Sequence, residues 1–443
     1  MTPTRRRRWP RAARAGLAAT LAVAGLATAA CDSPSTNTTS FPIPVNVDTG
    51  AVLAQLTSDG DDPPLFVSID TLSPLTVVDY VARGQAPREP RRRRHTLTLY
   101  GQVADGDGGV APVAQARFPD ADTFELHPCR ATVTPETEPC SIGTEAVNQP
   151  LFAILGADVL AQGAIRFAFG QPSVTFFPDI SGDNQARANL CEAVFRRPYF
   201  GGGTLLVGGA EVGFPGRRIA TSACLGAELN LDPDTELPDR GAVDALFVVA
   251  TGAPLSLVSR DFYDRYQRYC ADSACTVSGL GGPETIHLPS GPITVERATI
   301  DGLTLVSEAS DERGPCQELY ANAYMLREGD CGPDTATPCP CSEDSDDSFC
   351  RTGAAVTLTR SFDVGVIADS APLLQALRDE LRPELPELDG LLAPNALTPL
   401  VLDVDYPNNR VIMRCAGIAP ECATRPALIS RASRDNAQSV CLP

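Results

Sequence analysis

The residues of this chain that suggest chemistry most directly lie in a stretch that occurs twice. The first copy, residues 65–78, reads LFVSIDTLSPLTVV, and the second, residues 245–258, reads ALFVVATGAPLSLV, at a constant offset of 180. Each copy is an apolar run, a short turn and a second apolar run, the pattern of two buried strands joined by a tight loop. The first loop carries Asp70, a carboxylate suited to general acid–base catalysis, whereas the second has Ala250 at that position.

A second repeat follows each copy of the first. Residues 152–160, FAILGADVL, align with residues 389–397, DGLLAPNAL, and the same offset of 237 continues through 165–176 and 402–413. The later runs read as strand, Gly/Pro/Asn turn and strand, which predicts a β-hairpin in each half. Two motifs that recur in the same order indicate that the chain contains two related halves.

The paired motifs resemble those of pepsin-like aspartic proteases, in which two Asp-Thr-Gly loops face each other across a pseudo-twofold axis. Here residues 70–72 read Asp-Thr-Leu and residues 250–252 read Ala-Thr-Gly. The apolar-apolar-Gly segment that packs beneath each loop in this family is matched at 154–156 and, with Ala in place of Gly, at 391–393. The resemblance covers about residues 60–415 and implies an all-β, bilobal pepsin-like fold: two pseudo-symmetric β-barrel lobes with a few short helices.

The resemblance implies a pair of aspartates that share one proton, and that pair is incomplete here. Asp70 is vestigial in this interpretation, because Ala250 can neither hold a proton nor polarise a carbonyl. Leu72 replaces the glycine that the family's loop uses for close approach, so we expect its side chain to crowd or fill the cleft. Thr71 and Thr251 match the threonines that hydrogen-bond the opposite loop. Scaffold residues retained beside a broken pair are typical of a pseudoenzyme.

The resemblance also suggests where a ligand would bind. Leu72 and Gly252 stand at the third loop positions, and Tyr100 lies in a strand that resembles the entry to the family's flap hairpin. Two further acids, Asp79 and Asp158, are the candidates for a substitute partner of Asp70.

Length and composition fit two β-rich lobes. The chain has 443 residues with 39 Pro and 36 Gly, and helical patterns are scarce; the two predicted helices are residues 260–269 and 371–382. We expect the following organisation: a signal peptide at 1–30, a lipoprotein tether at 31–45, an N-terminal lobe at 46–190, an inter-lobe connection at 191–240, and a C-terminal lobe with disulfide-rich insertions at 241–443.

The first residues predict secretion. Residues 5–14 are rich in arginine and residues 16–30 are small and apolar. The sequence LATAAC at residues 26–31 resembles a bacterial lipobox, which predicts lipidation of Cys31 and attachment to a membrane of the cell envelope, facing the periplasm or the outside. Thr28 departs from that pattern, where Leu is usual, and ordinary signal-peptidase cleavage after Ala30 is the alternative.

The cysteine count agrees with lipidation. There are 15 cysteines, and removing Cys31 leaves an even number, which favours a full disulfide complement. Short loops make the pairs Cys129–Cys140 and Cys270–Cys275 the disulfide candidates; the second pair also matches a small disulfide loop that follows a catalytic strand in pepsins. The other cysteines and the acidic clusters lack the spacing of zinc or calcium sites, so we expect no metal.

Charge and composition exclude several functions. The net charge is −19, and loss of the six arginines at the N-terminus would make it −25, which argues against a nucleic-acid partner. The chain has no lysine, which excludes Schiff-base and Ser–Lys chemistry, and it has three histidines. We expect no cofactor. The basic run Arg91–Arg94 is predicted to be an exposed loop.

These features predict a lipid-anchored envelope protein with a degenerate catalytic pair, a monomer that binds a peptide, protein or envelope component without cleaving it. Two alternatives stay open. One is an active aspartic endopeptidase that uses a substitute acid or a homodimer, and the other is a structural cell-envelope protein.

Overall fold

The computed structural model describes most of the two repeated regions. The described residues are 43–44, 50–58, 65–79, 91–104, 110–125, 151–177, 193–195, 203–207, 210–214, 218–225, 243–271, 278–288, 291–306, 355–358, 360–381, 388–407, 410–416 and 422–425. The predicted domain boundaries at 30, 45, 190 and 240 lie outside these residues and stay predictions. No helix among the described residues is both long and apolar enough to cross a membrane.

The fold is mostly β, as predicted, with a few short helices. The first half of the chain forms β1 (Ile43–Pro44), β2 (Leu53–Ser58), β3 (Leu65–Ile69), β4 (Val77–Val78), β5 (Arg91–Ala104), β6 (Val110–Glu125), β7 (Ala153–Leu155), α1 (Ala157–Leu160), β8 (Ala164–Ala168) and β9 (Ser173–Phe177). The second half forms β10 (Ala193–Phe195), β11 (Gly203–Val207), β12 (Ala210–Phe214), β13 (Ala220–Leu225), β14 (Val243–Val249), β15 (Ser256–Ser259), α2 (Arg260–Ala271), β16 (Pro283–Leu288), β17 (Gly291–Ile300), β18 (Leu303–Val306), β19 (Ala355–Leu358), β20 (Phe362–Ile367), α3 (Pro372–Leu381), β21 (Gly390–Leu392), α4 (Pro394–Leu397), β22 (Leu400–Asp405), β23 (Arg410–Cys415) and β24 (Cys422–Arg425).

The strands form one sheet system in each half and one sheet that joins the halves. In the first half the order β2-β3-β7-β4-β6-β5 closes into a barrel. In the second half the order is β16-β17-β20-β15-β21-β14-β13-β18-β19-β24. A six-stranded sheet, β1-β9-β8-β22-β23-β10, contains the two predicted hairpins, one from each half, and β11 pairs with β12.

The two halves repeat each other residue by residue. Ile154 on β7 lies in parallel register with Ser68 on β3, and Leu391 on β21 lies in parallel register with Val248 on β14. These pairs are related by the offsets of 180 and 237 that the sequence shows. The antiparallel pairing of β4 with β7 recurs in the same way between β15 and β21. The prediction that Asp70 is equivalent to Ala250, and Ile154 to Leu391, agrees with this registry.

The pseudo-twofold axis can be located in the shared sheet. Strand β8 pairs antiparallel with β22, and Arg166 lies directly opposite Asp403, the residue at the repeat offset of 237. The two side chains form a bidentate ion pair, with Nε–Oδ1 and Nη2–Oδ2 distances of 2.6 and 2.8 Å. The axis therefore passes between two equivalent positions that carry opposite charges.

Both predicted helices form. Helix α2 begins after Ser259, whose Oγ accepts a hydrogen bond from the Phe262 amide at 3.1 Å and so caps the first turn. Helix α3 occupies Pro372–Leu381 and buries Leu374 and Leu377 against the second half.

The prediction of a loop at Arg91–Arg94 is wrong, because these residues begin strand β5, whereas the expected exposure is observed for residues 92–94. They pair in register with β6, whose carboxylates lie opposite the arginines. Arg92 forms an ion pair with Asp122 at 3.0 Å, and Arg93 forms one with the buried Glu125 at 3.3 Å. The acidic partner strand thus accommodates a basic run that looks like a loop in isolation.

Candidate active site

The two loops are built by equivalent strands and fixed by equivalent backbone bonds. Asp70 follows β3, and its amide donates to the Leu155 carbonyl at 3.0 Å. Ala250 follows β14, and its amide donates to the Leu392 carbonyl at 2.8 Å. Both loop residues are buried. The apolar-apolar segment that follows in each half therefore supports each loop from beneath, as the resemblance implies.

Two threonines join the loops across the axis. The Thr71 hydroxyl donates to the Val249 carbonyl at 2.8 Å, and the Thr251 hydroxyl donates to the Ile69 carbonyl at 2.7 Å. Each hydroxyl also accepts the amide of the other threonine, at 3.0 Å for the Thr71 amide and 3.3 Å for the Thr251 amide. The loops predicted to face each other are therefore in direct and reciprocal contact.

The Asp70 carboxyl group is buried at the junction of the two loops, with 1% exposure. Its Oδ1 accepts the amides of Leu72 at 2.9 Å and Gly252 at 3.1 Å. Burial raises the pKa of Asp70, while these amides and the Arg218 guanidinium act in the opposite direction.

The residue at the third position of each loop fits the residue at the first position of the opposite loop. Gly252 faces Asp70, and Leu72 corresponds to Gly252 where the opposite residue is Ala250. A Cβ atom added to Gly252 would lie 2.6 Å from both Cβ and Cγ of Asp70, so a side chain there would force the loop or Asp70 to shift. In the first loop the equivalent residue is Leu72, and the equivalent of Asp70 is Ala250, which has no side chain beyond Cβ. Leu72 can therefore occupy the space that a second carboxylate would need.

Leu72 does insert into the other half. It is buried, with 6% exposure, and it is the first-half member of an apolar cluster that the described residues otherwise draw from the second half. Other members of that cluster include Ala250, Ala253, Leu374 and Leu377. Leu72 is therefore buried in an apolar cluster that also contains residues of the second loop and helix α3, and its filling of a cleft stays a prediction.

A buried arginine, which sequence reasoning missed, also holds Leu72. Arg218 precedes β13, has 6% exposure, and donates through Nη1 to the Leu72 carbonyl. Its Nε lies 2.8 Å from both carboxylate oxygens of Glu380 on α3. The first loop is thereby fastened to the second half through both its side chain and its backbone. Arg218 and Glu380 lie 162 positions apart, and no local motif marks either one.

Asp158, one candidate for a substitute acid, has a different role. Its Oδ1 accepts the Thr76 hydroxyl at 2.7 Å and the Val159 amide at 2.8 Å, and burial raises its pKa. The equivalent pair in the second half is Ser256 and Asn395, joined at 2.8 Å. Because Asn395 makes the same contact without a charge, this position supports the loops structurally.

The remaining predicted residues are placed as follows. Asp79 is buried, and its amide donates to the Phe152 carbonyl at 2.7 Å. Tyr100 lies on β5, where its hydroxyl accepts from Thr57 on β2 at 3.3 Å, and its binding role stays a prediction. Among the described residues, no three His, Cys, Asp or Glu side chains are arranged to hold a metal ion.

The described residues include only some of the cysteines for which predictions were made. Cys31, Cys129, Cys140 and Cys275 lie outside the described residues. Cys270, at the end of α2, is disulfide-bonded. A disulfide that the sequence did not suggest joins two cysteines seven residues apart, Cys415 and Cys422.

Comparison with known proteins gives matches in structure alone. No protein-family model matches the sequence, and neither does any curated protein. An aspartic proteinase from Irpex lacteus aligns over 86% of this chain and 98% of its own, with 11% identity and a TM-score of 0.40. The basic 7S globulin from soybean aligns over 84% and 93%, with 10% identity and a TM-score of 0.35. Conglutin gamma, a basic 7S globulin from lupine seeds, aligns over 84% and 93%, with 9% identity and a TM-score of 0.37. The described residues are mostly β, with several sheets and a few short helices.

Proposed function

We propose that this chain is a lipid-anchored protein of the cell envelope that uses an aspartic-protease-like fold for binding and not for catalysis. One observation carries the proposal: each loop pairs a small residue with a larger one from the opposite loop, but only one of the two larger residues is an aspartate. Gly252 leaves room for the Asp70 carboxylate, whereas Leu72 packs in one cluster with Ala250. In this proposal the second catalytic aspartate is replaced by alanine, and the space that its carboxylate would need is taken by Leu72.

A single buried carboxyl group cannot perform the paired reaction. In the two-carboxylate mechanism one group activates a water while the other protonates the substrate carbonyl. Among the residues that the structure describes, no second carboxyl group is hydrogen-bonded to Asp70, and burial favours its neutral form. Loss of one positioned acid or base reduces such catalysis by about 10²–10⁴-fold, and members of a coupled unit fail together.

The contacts around the loops count against the alternative of an active endopeptidase. Pairing of two Asp70 loops in a homodimer would have to replace the contacts that Thr71 makes with Thr251 in the same chain. For Asp158 to act as a substitute acid, its carboxylate would have to give up the hydrogen bond that it accepts from the Thr76 hydroxyl.

A structural role in the envelope is the second candidate. The observation that favours it is the insertion of Leu72 into the second half, which fastens the halves together at the place where a protease would hold its substrate. The two candidates differ in one measurable property, since a binding protein has a ligand that saturates a defined site and a structural protein does not.

The non-catalytic role is tested by comparing three proteins on a denatured protein substrate from acid to neutral pH. Wild-type chain, Ala250→Asp and Asp70→Asn should all be inactive, because the single restored carboxylate still meets Leu72. Cleavage by the wild-type chain that Asp70→Asn abolishes would mean that Asp70 has a catalytic partner, and the proposal would have to be abandoned.

The proposed anchor is tested separately by metabolic labelling with a fatty acid. The label should be incorporated into the wild-type chain and absent from the Cys31→Ala variant. A label that persists in the variant would defeat the assignment of Cys31, and it would leave the non-catalytic role to the cleavage assay.

A further inference from the structure

The β5–β6 hairpin presents two arginines on the outer face of the first-half barrel. Leu97 and Leu99 on β5 are buried, so the residues that alternate with them along the strand point outward, and Arg94 is one of these and is exposed. On β6, Arg117 is exposed between two buried neighbours and lies directly opposite the outward-facing Thr98. The two guanidinium groups therefore belong to the same outer face of the hairpin.

These two arginines are not neutralised by the protein itself. Among the residues that the structure describes, neither Arg94 nor Arg117 takes part in a hydrogen bond or an ion pair. The arginines at positions 92 and 93 are compensated by ion pairs with carboxylates of β6. Asp120 is the remaining acid of the two strands. On these strands two unpaired cations thus stand against one acid.

Positive charge is concentrated at the start of β5. Residues 83–94 carry six arginines and one glutamate, in a chain whose net charge is −19. Strand β5 has 14 residues, so its two ends lie roughly 45 Å apart. Because salt screens charges beyond about 8–10 Å, the local excess at this end, and not the net charge of the chain, decides what this surface attracts.

Strand β1 leads from the expected tether to the same hairpin. β1 is the first described element of the chain, and it lies against β5. The segment from Cys31 to Ile43 can span at most about 40 Å. A lipid on Cys31 would therefore hold the membrane within reach of the arginine face.

We propose that the outer face of the β5–β6 hairpin docks on the anionic phospholipid headgroups of the membrane that holds the anchor, with Arg94 and Arg117 at the phosphate groups. Arginine suits this role because its planar fork can bind a phosphate with two parallel hydrogen bonds. Each arginine at an anionic bilayer surface strengthens the attachment about fivefold. The inference rests on the lipid anchor of the proposed function, and it gives the anchored chain one orientation on the membrane.

The test is arginine footprinting of the full chain reconstituted in vesicles. Phenylglyoxal modifies exposed guanidinium groups, and mass spectrometry gives the rate of modification at each arginine. Vesicles of phosphatidylcholine alone are compared with vesicles in which about one-third of the lipid is phosphatidylglycerol. The anionic vesicles should slow the modification of Arg94 and Arg117 about fivefold or more, and high salt should remove this protection. Arg268, which is exposed on α2, is the internal control and should react equally in both.

Variants locate the docking face. Arg117→Gln should reduce the protection of Arg94 about fivefold, and Arg94→Gln should do the same to Arg117. Arg268→Gln is the matched control and should leave both protections unchanged. Arg94 and Arg117 are exposed and unpaired within the described part of the chain, so these substitutions should not disturb folding.

The anchor and the docking face fail in different ways. Flotation with phosphatidylcholine vesicles reports the anchor alone, whereas the difference between the two kinds of vesicle reports the docking. If the chain does not float with phosphatidylcholine, flotation with the anionic vesicles decides. There the variant with both Arg94→Gln and Arg117→Gln should bind about 25-fold more weakly than Arg268→Gln.

Three results would overturn the inference. They are equal modification of Arg94 and Arg117 in both kinds of vesicle, equal protection of Arg268, and protection by soluble dextran sulfate as strong as that by anionic vesicles. The last result would assign the face to a soluble polyanion. None of them would bear on whether the chain is catalytic, since the cleavage assay decides that independently.

Discussion

Restoring the missing carboxylate with Ala250→Asp should destabilise the chain unless Leu72 is also shortened. The geometry comes from the intact half of the repeat, where a Cβ atom at Gly252 would lie 2.6 Å from Cγ of Asp70. At the equivalent place Leu72 and Ala250 are both buried and belong to one apolar cluster, so a carboxyl group at position 250 would enter packed apolar surroundings.

The expected cost has two parts. Overpacking a filled core destabilises by about 1–3 kcal/mol, and burying a polar group without a partner adds about 1–3 kcal/mol. Ala250→Asp should therefore lower the free energy of unfolding by about 2–6 kcal/mol. Leu72→Gly alone should lower it by about 2–5 kcal/mol, because it leaves a cavity in the apolar cluster. The double variant should lose less than the sum by about 1 kcal/mol or more, since the clash is absent.

The assay is denaturant unfolding of the four proteins in the double-mutant cycle, followed by circular dichroism. Ala298→Asp provides the control, because Ala298 is buried, with 3% exposure, in a different apolar cluster from Leu72. Its effect should add to that of Leu72→Gly within about 0.5 kcal/mol. Additivity of Ala250→Asp with Leu72→Gly would refute the claim that Leu72 occupies the place of a second carboxylate.

Other contacts of the loops give further expected outcomes. Arg218→Gln should lower the free energy of unfolding by about 3–5 kcal/mol, because the Glu380 side chain, which is only 11% exposed, loses its cationic partner. A loss in denaturant unfolding below about 1 kcal/mol would contradict this. Thr71→Val and Thr251→Val should each cost about 1–3 kcal/mol, and the double variant should cost less than their sum, since both remove one reciprocal contact; strict additivity would show independent sites. Asp70→Asn should gain stability relative to wild type as the pH rises from about 4. Burial raises the folded-state pKa of Asp70 above its ordinary value of 3.8, so the folded chain binds more protons and the wild type loses stability through this window. A difference between the two proteins that is constant with pH would contradict the raised pKa.

Internal repetition made the fold predictable. The offsets of 180 and 237 reappear as identical strand registers, because each half must place one loop between two buried strands and support it from below. The helices were equally accessible, since α3 has an apolar periodicity that ends before Pro383. Local patterns of this kind are decided by contacts within a few residues or by the repeat itself.

The site was predictable only where its two halves correspond. Asp70, Thr71 and Thr251 could be read from the motif, whereas the crowding of a cleft by Leu72 stays a prediction. The contacts of Arg218 with Leu72 and Glu380 could not be predicted, because Glu380 lies on a helix that is not part of the repeated motif. The strand at Arg91–Arg94 was missed for the same reason, since its stabilising carboxylates belong to a partner strand distant in sequence.

The most direct test of the account is a search for peptide-bond cleavage by mass spectrometry. A complex library of denatured peptides is incubated in acid with the full chain, and a parallel sample contains Asp70→Asn. The account predicts the same peptides in both samples, because the proposed function leaves Asp70 without a second catalytic carboxyl group. New peptides that appear with the wild-type chain and are absent with Asp70→Asn would contradict it.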